Sequence, residues 1–490
     1  MPSQVLRALA SAAGANPAVC DEHRSLSYAA LREAVCAESR WLQEHAVKRC
    51  AMLADNCAGW IVADLALLQA GALNVPLPGW FTPAQIAHVT QDAGVESILT
   101  DEPEHMLPEF QPVAVAPHSH FTLLRRRDRC EVRPPSRAIK VTYTSGSTGT
   151  AKGVCLTKNA LEQVARSIAF ATPPGVTRHL CAMPLPTLLE NVAGVYAPLM
   201  LGATCLVPST RATGVGRGAV DAQRFLDALS RNSPHSLILV PELLRLLIGA
   251  AKRRWTPPPD LRFVAVGGAS VAPALLEEAI ALGIPAYEGY GLSECASVVC
   301  LNTPSDSRRG SVGKPLPHAR VRIDEHGQIL VRGAVMSGYL GDAESRSLEI
   351  ATGDLGYIDA DGFVYVRGRV KNMFITSMGR NVAPEWVESH LLQDGAVGQA
   401  IVFGEARPYA VALIHPGAGS AGASQIERAI AAANVQLPAY AQIRRWALLP
   451  HALRFEDGLL TANGRPRREA IAARHSALID AMYDEALASS

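Results

Sequence analysis

The chain has 490 residues, 48% apolar and 19% charged, an ordinary globular balance that excludes long-range disorder. That length exceeds one ordinary core and predicts two or three domains. With 46 basic against 45 acidic residues the net charge is +1, so no electrostatic argument points to nucleic acid or an anionic membrane surface. The opening residues Met1 to Arg7 carry no basic head followed by an apolar run, and no stretch reaches about 18 uninterrupted apolar residues. Neither a signal peptide nor a spanning helix is expected. The ten cysteines form no Cys-x-x-Cys pair and read as buried, reduced thiols of a cytoplasmic protein.

Residues 1–130 alternate helical and strand patterns. The stretch from Asp21 to Tyr28 resembles a short hairpin leading into a helix over Tyr28 to Val35. A second helical pattern covers Ile61 to Ala70, followed by a turn and a buried strand ending at Leu77. Residues 124–137, rich in Arg and Pro with the run Arg125-Arg126-Arg127, read as a solvated connector. The glycines from Gly214 to Gly218 follow no strand and read as a loop, as do the small residues from Gly417 to Ser424. Leu237 to Val240 and Phe263 to Val266 have the character of buried parallel strands. From about residue 310, alternating segments at Arg320 to Ile323, Gly327 to Arg332 and Gly362 to Val366 predict antiparallel hairpins. The expected class is therefore α/β. A large N-terminal domain of layered α/β subdomains plus a β-rich subdomain spans 1–366. A hinge at 367–371 precedes a small, mobile α+β C-terminal domain over 372–490.

The densest chemical signal runs from Val141 to Val154, reading Val-Thr-Tyr-Thr-Ser-Gly-Ser-Thr-Gly-Thr-Ala-Lys-Gly-Val. An apolar strand start leads into hydroxyls and glycines, then Lys152. Glycines let backbone N–H groups approach phosphate oxygens, hydroxyls add donors, and the lysine adds a point charge for a polyphosphate. The spacing is not that of a Walker loop.

This stretch resembles the phosphate loop of the adenylate-forming superfamily, which comprises acyl-CoA synthetases, luciferases and the adenylation domains of peptide synthetases. The resemblance covers nearly the whole chain and sits nearest the long-chain fatty acyl-CoA synthetase branch. It implies that Thr144, Ser145, Gly146, Ser147, Thr148, Gly149 and Lys152 hold ATP phosphates, with Ala151 where relatives have proline. It implies that the turn Gly267-Gly268-Ala269-Ser270 lies against adenine. In Tyr287-Glu288-Gly289-Tyr290-Gly291-Leu292-Ser293-Glu294, Glu288 to Gly291 would line the nucleotide and Ser293 would touch the α-phosphate in place of threonine. Glu294, with Thr144, would hold Mg²⁺, whose preference for hard oxygen ligands suits that role. Asp354 would bond the ribose hydroxyls, Arg369 would lie near ribose and α-phosphate, Lys371 would be the hinge, and Met378 and Gly379 would line the tunnel for the acceptor thiol.

One position departs from the family pattern. The C-terminal motif that usually ends in a catalytic lysine reads Leu460-Thr461-Ala462-Asn463-Gly464-Arg465, and no lysine follows Lys371. Arg465 keeps the charge, but its planar fork is not equivalent to an ammonium. Arg465, Lys152, Ser293 and Glu294 are the implied catalytic set. Thr187, Leu188, Val192, Gly267 and Gly289 are the implied acyl pocket, and Leu185, where amino-acid-activating relatives carry aspartate, disfavours a free α-amino acid. The implied activity uses ATP and Mg²⁺ to convert an apolar carboxylic acid to an acyl adenylate with release of pyrophosphate. The acyl group then passes to the thiol of CoA or of a phosphopantetheine carrier protein. The departures at Arg465 and Met378 keep two alternatives open: transfer to an amine or alcohol or internal closure, and a nucleotide- or acyl-binding protein with weakened catalysis.

Overall fold

The computed structural model describes residues 3–105, 107–128, 137–144, 152–216, 220–269, 271–342, 347–417, 422–454, 457–461 and 464–484. Two large sheets carry most of the first 340 residues. One has eight strands, in the order Gly338–Tyr339, Lys152–Thr157, Ala138–Thr144, Leu73–Pro76, Arg49–Leu53, Ser97–Thr100, Thr122–Arg126, Phe110–Val115. The other has nine, in the order Lys314–Pro315, Ser297–Leu301, Ala286–Leu292, Phe263–Val266, Ser236–Leu239, Arg178–Leu180, Thr204–Leu206, Pro17–Cys20, Ser25–Ser27. Its centre is parallel: His179 lies opposite Ser236, Ser236 opposite Phe263, and Leu239 opposite Val266. Strands buried on both faces need continuous apolar runs, which Leu237 to Leu239 and Phe263 to Val266 supply.

Helices pack between these sheets. The helix Ala58–Ala70 is buried at every position from Ala58 to Leu68. A helix apolar all round is covered on all sides, and here Met52 of one sheet and Ile238 and Phe263 of the other share its core. The short segment Glu190–Tyr196 is a π-helix, buried at all seven positions. Such a wide turn changes which side chains share a face.

The hairpin expected before residue 28 is present as Pro17–Cys20 against Ser25–Ser27, and the helix runs Tyr28–Glu44. The solvated connector expected at 124–137 is corrected at its start. Leu124, Arg125 and Arg126 end the strand Thr122–Arg126. There the Arg126 guanidinium stacks 4.6 Å from the Phe110 ring centroid while its Nε donates to the Val95 carbonyl at 2.9 Å. Arginine stems cover apolar surface while their heads find carbonyls, so a basic run can sit in a sheet.

A four-stranded antiparallel sheet, Ala319–Ile323, Gln328–Gly333, Glu349–Ile358 and Val364–Arg369, follows. The last hundred residues form a smaller α+β unit with its own core. Helices Pro384–Leu391 and Ala423–Gln436 pack on the sheet Val397–Phe403, Ala410–Pro416, Ile443–Leu448. The mixed α/β class with a large first and small last domain is what the sequence led one to expect. Among the described residues, no helix is long and apolar enough to cross a membrane.

Candidate active site

The parallel strand Phe263–Val266 ends in Gly267 and Gly268, the latter at φ +84, a backbone conformation that favours glycine. Beside it, Ala286–Leu292 crosses to Ser297–Leu301. A Cβ on Gly291 would stand 1.9 Å from the Ser297 carbonyl oxygen, so only glycine allows this approach. From this strand Tyr290 donates its hydroxyl to Asp354 Oδ2 at 2.7 Å. Asp354 is 5% exposed and sits opposite Arg369 across the Glu349–Ile358 and Val364–Arg369 pair, where Arg369 Nε meets Oδ1 at 2.9 Å. Each carboxylate oxygen of Asp354 thus already accepts one donor and keeps lone-pair capacity for another. Thr352, absent from the sequence-level set, positions this loop: its hydroxyl accepts the Asp354 amide at 3.1 Å and donates to the Ile329 carbonyl at 2.8 Å.

A second group converges from the phosphate-loop side. Thr144 and Lys152 are paired across the antiparallel strands Ala138–Thr144 and Lys152–Thr157. Lys152 Nζ lies 5.4 Å from the Tyr339 ring centroid, and the Tyr339 hydroxyl donates to Glu294 Oε1 at 2.9 Å. Tyr339 is held there by pairing of its strand with Lys152–Thr157. It therefore ties the loop lysine to the carboxylate implied for Mg²⁺. No sequence motif marks it. Ser293 opens the short turn that carries Glu294. Ser145, Gly146, Ser147, Thr148, Gly149 and Ser270 lie outside the described residues.

Arg465 enters from the small domain. Its Nε and Nη2 donate to the Gly268 carbonyl oxygen at 3.0 and 2.5 Å, across 197 residues. Burial depresses its pKa, the neighbouring Arg369 adds to this, and Asp354, Tyr290 and Glu385 oppose it. The turn that presents it is closed by the Arg465 amide on Thr461 Oγ1 at 3.1 Å and the Thr461 amide on the Arg465 carbonyl at 2.8 Å. Just beyond, Arg468 grips Glu388 bidentately at 2.7 and 2.6 Å, anchoring the following helix. One cleft therefore holds Gly268, Tyr290, Asp354, Arg369 and Arg465.

Glu288 is 6% exposed and, among the described residues, receives only the Val271 amide, at 3.4 Å; burial pushes its pKa up to about 8. Gly267 and Gly289 face each other, a Cβ on Gly267 standing 3.2 Å from the Gly289 carbonyl oxygen. Leu188 and Val192 are in the main core, and Thr187 donates to the Pro184 carbonyl at 2.6 Å. Leu189 and Ala193 of the same segment line a nearby apolar crevice. Lys371 is exposed on a short turn after Arg369. Met378 is 77% exposed and Gly379 has φ +70, both on the turn between Phe374–Ile375 and Asn381–Val382.

Residues 6–340 match the family described as AMP-binding enzyme, and residues 371–487 match the AMP-binding enzyme C-terminal domain. The chain belongs to the AMP-binding enzyme family. It is an enzyme of the adenylate-forming superfamily. It is 27% identical to a long-chain-fatty-acid–CoA ligase of Mycobacterium bovis, over 87% of this chain and 86% of that one. The anthranilate CoA ligase AuaEII, solved with anthranoyl-AMP, superposes with a TM-score of 0.80 at 18% identity, covering 96% and 97% of the two chains. The o-succinylbenzoate CoA synthetase of Bacillus subtilis, solved with ATP and magnesium, gives 0.76 at 24%, covering 96% and 99%. At those identities the two structures speak for the fold.

Proposed function

We propose that this AMP-binding enzyme activates an apolar acyl acid with ATP and passes it to the thiol of CoA or of a carrier protein, with Arg465 in the role usually held by lysine. The observation that carries this reading is the Arg465 fork on the Gly268 carbonyl, inside the cleft that also holds Asp354 and Arg369. The relative of highest similarity described above acts on long-chain fatty acids by name, which favours an acyl acid.

The residues present fit ATP and Mg²⁺. Glu294 offers one hard carboxylate within reach of the phosphate-loop side, the number a phosphate-bridging Mg²⁺ ordinarily takes from protein. A bound Mg²⁺ would neutralise phosphate charge and orient the leaving pyrophosphate. Asp354 supplies two acceptor oxygens suited to a vicinal diol, with Tyr290 and Arg369 fixing its orientation. Lys152 brings a point charge to the side where β- and γ-phosphates would lie. Arg465, released from the Gly268 carbonyl, can place two parallel N–H donors on the reacting carboxylate and α-phosphate oxygens, where negative charge develops. Hinge motion about Lys371 would then carry this arginine away and bring the turn at Met378 and Gly379 toward the thiol.

Pyrophosphate release from Mg-ATP, measured with a panel of fatty, hydroxy and aryl acids with and without CoA, tests the reading. Arg465→Ala should lower the rate by about two to three orders of magnitude, equivalent to roughly 3–4 kcal/mol of lost oxyanion stabilisation. Arg465→Lys should retain a substantial share. Failure of every acid while ATP still binds would sink the acid-activating reading. An undiminished alanine variant would remove Arg465 from the chemistry.

A further inference from the structure

Two opposite charges flank the place where nucleotide phosphates would lie, and one side chain touches both. Lys152 Nζ lies 5.4 Å from the Tyr339 ring centroid, within cation–π range. At its other end Tyr339 donates its hydroxyl to Glu294 Oε1 at 2.9 Å. Among the described residues no ion pair joins Lys152 to Glu294. Opposite charges in a cleft sheltered from water attract strongly. A lysine and a glutamate paired with each other would offer neither a cation for phosphate nor an anion for Mg²⁺.

The backbone around Tyr339 explains how it reaches both. The Met336 amide donates to the Glu294 carbonyl at 2.7 Å. The Ser337 amide donates to the Cys155 carbonyl at 2.9 Å, and the Leu340 amide to the Gly153 carbonyl at 2.7 Å. Residues 336–340 are therefore a strap, fastened at one end to the turn that carries Glu294 and then to the strand Lys152–Thr157. Gly153 permits this approach: a Cβ there would stand 3.1 Å from Leu340 Cβ and 3.2 Å from Tyr143 Cζ. The Tyr339 ring also packs against the main core, so packing as well as the two charges sets its position.

Resting on the acid-activating reading, in which Lys152 faces phosphate and Glu294 faces Mg²⁺, we propose that Tyr339 is a positioning residue that keeps these two charges from neutralising each other. Its ring holds the ammonium by a cation–π contact. Its hydroxyl holds one carboxylate oxygen and leaves the other for the metal. Tyr339 is itself neutral, so each charged group keeps its full charge for the arriving nucleotide. A tyrosine that served packing alone would have no such dependence on Lys152: its loss would cost the same whether or not the lysine were present.

The test is calorimetric binding of ATP, with excess Mg²⁺ and with EDTA, to the wild type, Tyr339→Phe, Tyr339→Leu, Lys152→Met and the double variant Lys152→Met, Tyr339→Leu. The readout is the dissociation constant in EDTA divided by that in Mg²⁺, which isolates the contribution of the metal. Tyr339→Leu should cut this ratio about tenfold, and Tyr339→Phe, which keeps the ring, by about threefold or less. With Lys152→Met already in place, Tyr339→Leu should cost no more than Tyr339→Phe does, since no cation remains to pair with Glu294. Should Tyr339→Leu fail to fold, Tyr339→Met takes its place in both backgrounds. An equal loss in both backgrounds, an equal loss for phenylalanine and leucine, or no loss at all overturns the proposal, as does a wild type that binds no ATP. Pyrophosphate release on the acid panel separates the two readings. The expected ratios without release from any acid would leave the Tyr339 assignment standing and remove the acid-activating reading. Release with a ratio indifferent to Tyr339→Leu would do the opposite.

Discussion

Two buried polar clusters share the π-helical segment Glu190–Tyr196 and follow opposite rules. In the first, Lys140 Nζ donates to Asp64 Oδ1 at 2.7 Å, to Asn191 Oδ1 and to the Tyr196 hydroxyl at 3.2 Å. Asp64 Oδ2 accepts Tyr196 at 2.7 Å and Asn191 at 3.0 Å, while Asn74 donates to Oδ1 at 2.6 Å. Every charged atom there is answered. In the second, Glu190 and His179 Nε2 face each other unbonded. The same short segment supplies Asn191 and Tyr196 to one and Glu190 to the other. Equal burial therefore does not imply equal bonding: the charged atoms of the first cluster are all answered, and Glu190 is not.

The contrast predicts unequal costs for the same chemical change. Asp64→Asn removes the counter-charge of a fully buried lysine and should destabilise the large domain by about 3–5 kcal/mol in urea denaturation. Converting Lys140 to Met in the same chain should recover a good part of that loss, since no uncompensated charge then remains. A single variant that proved harmless would mean the cluster is solvated and would break the comparison at its stronger end.

Glu288 lies between the two extremes, with one backbone donor at 3.4 Å and a pKa pushed up to about 8 by burial. Between the ordinary carboxylate range and about 8, the native state holds a proton that the unfolded chain has released. Stability must therefore fall as pH rises through that window and level off above it, by up to a few kcal/mol. Glu288→Gln should flatten that part of the stability–pH curve. An unchanged slope would show that Glu288 is ionised in the native protein.

The nucleotide side of the cleft was legible in sequence because its chemistry is contiguous. Glycines, hydroxyls and Lys152 fall within one loop, and Gly289, Tyr290 and Glu294 fall within one strand and its turn. What was hidden depends on register between distant segments. Tyr339 reaches Glu294 through an edge-strand pairing, and Ser236 meets His179 across 57 residues because their strands lie side by side. The acyl-pocket positions Leu188 and Val192 rest on the resemblance alone. Leu188, Val192 and Ala193 all lie in the main core, and Leu189 and Ala193 also line the crevice. For Arg465 the sequence located the substitution, while only the structure shows its fork on the Gly268 carbonyl.

The smallest expected effect is the one that sharpens the comparison most. Glu190→Gln makes the same acid-to-amide change as Asp64→Asn, at a site equally buried. Burial raises the Glu190 pKa, with His179 opposing less strongly. Among the described residues no donor meets Glu190 within bonding geometry, so the stability change should stay within about 1 kcal/mol. A cost near that of Asp64→Asn would mean that Glu190 is ionised and paired in the native protein. The second cluster would then be structural, like its neighbour.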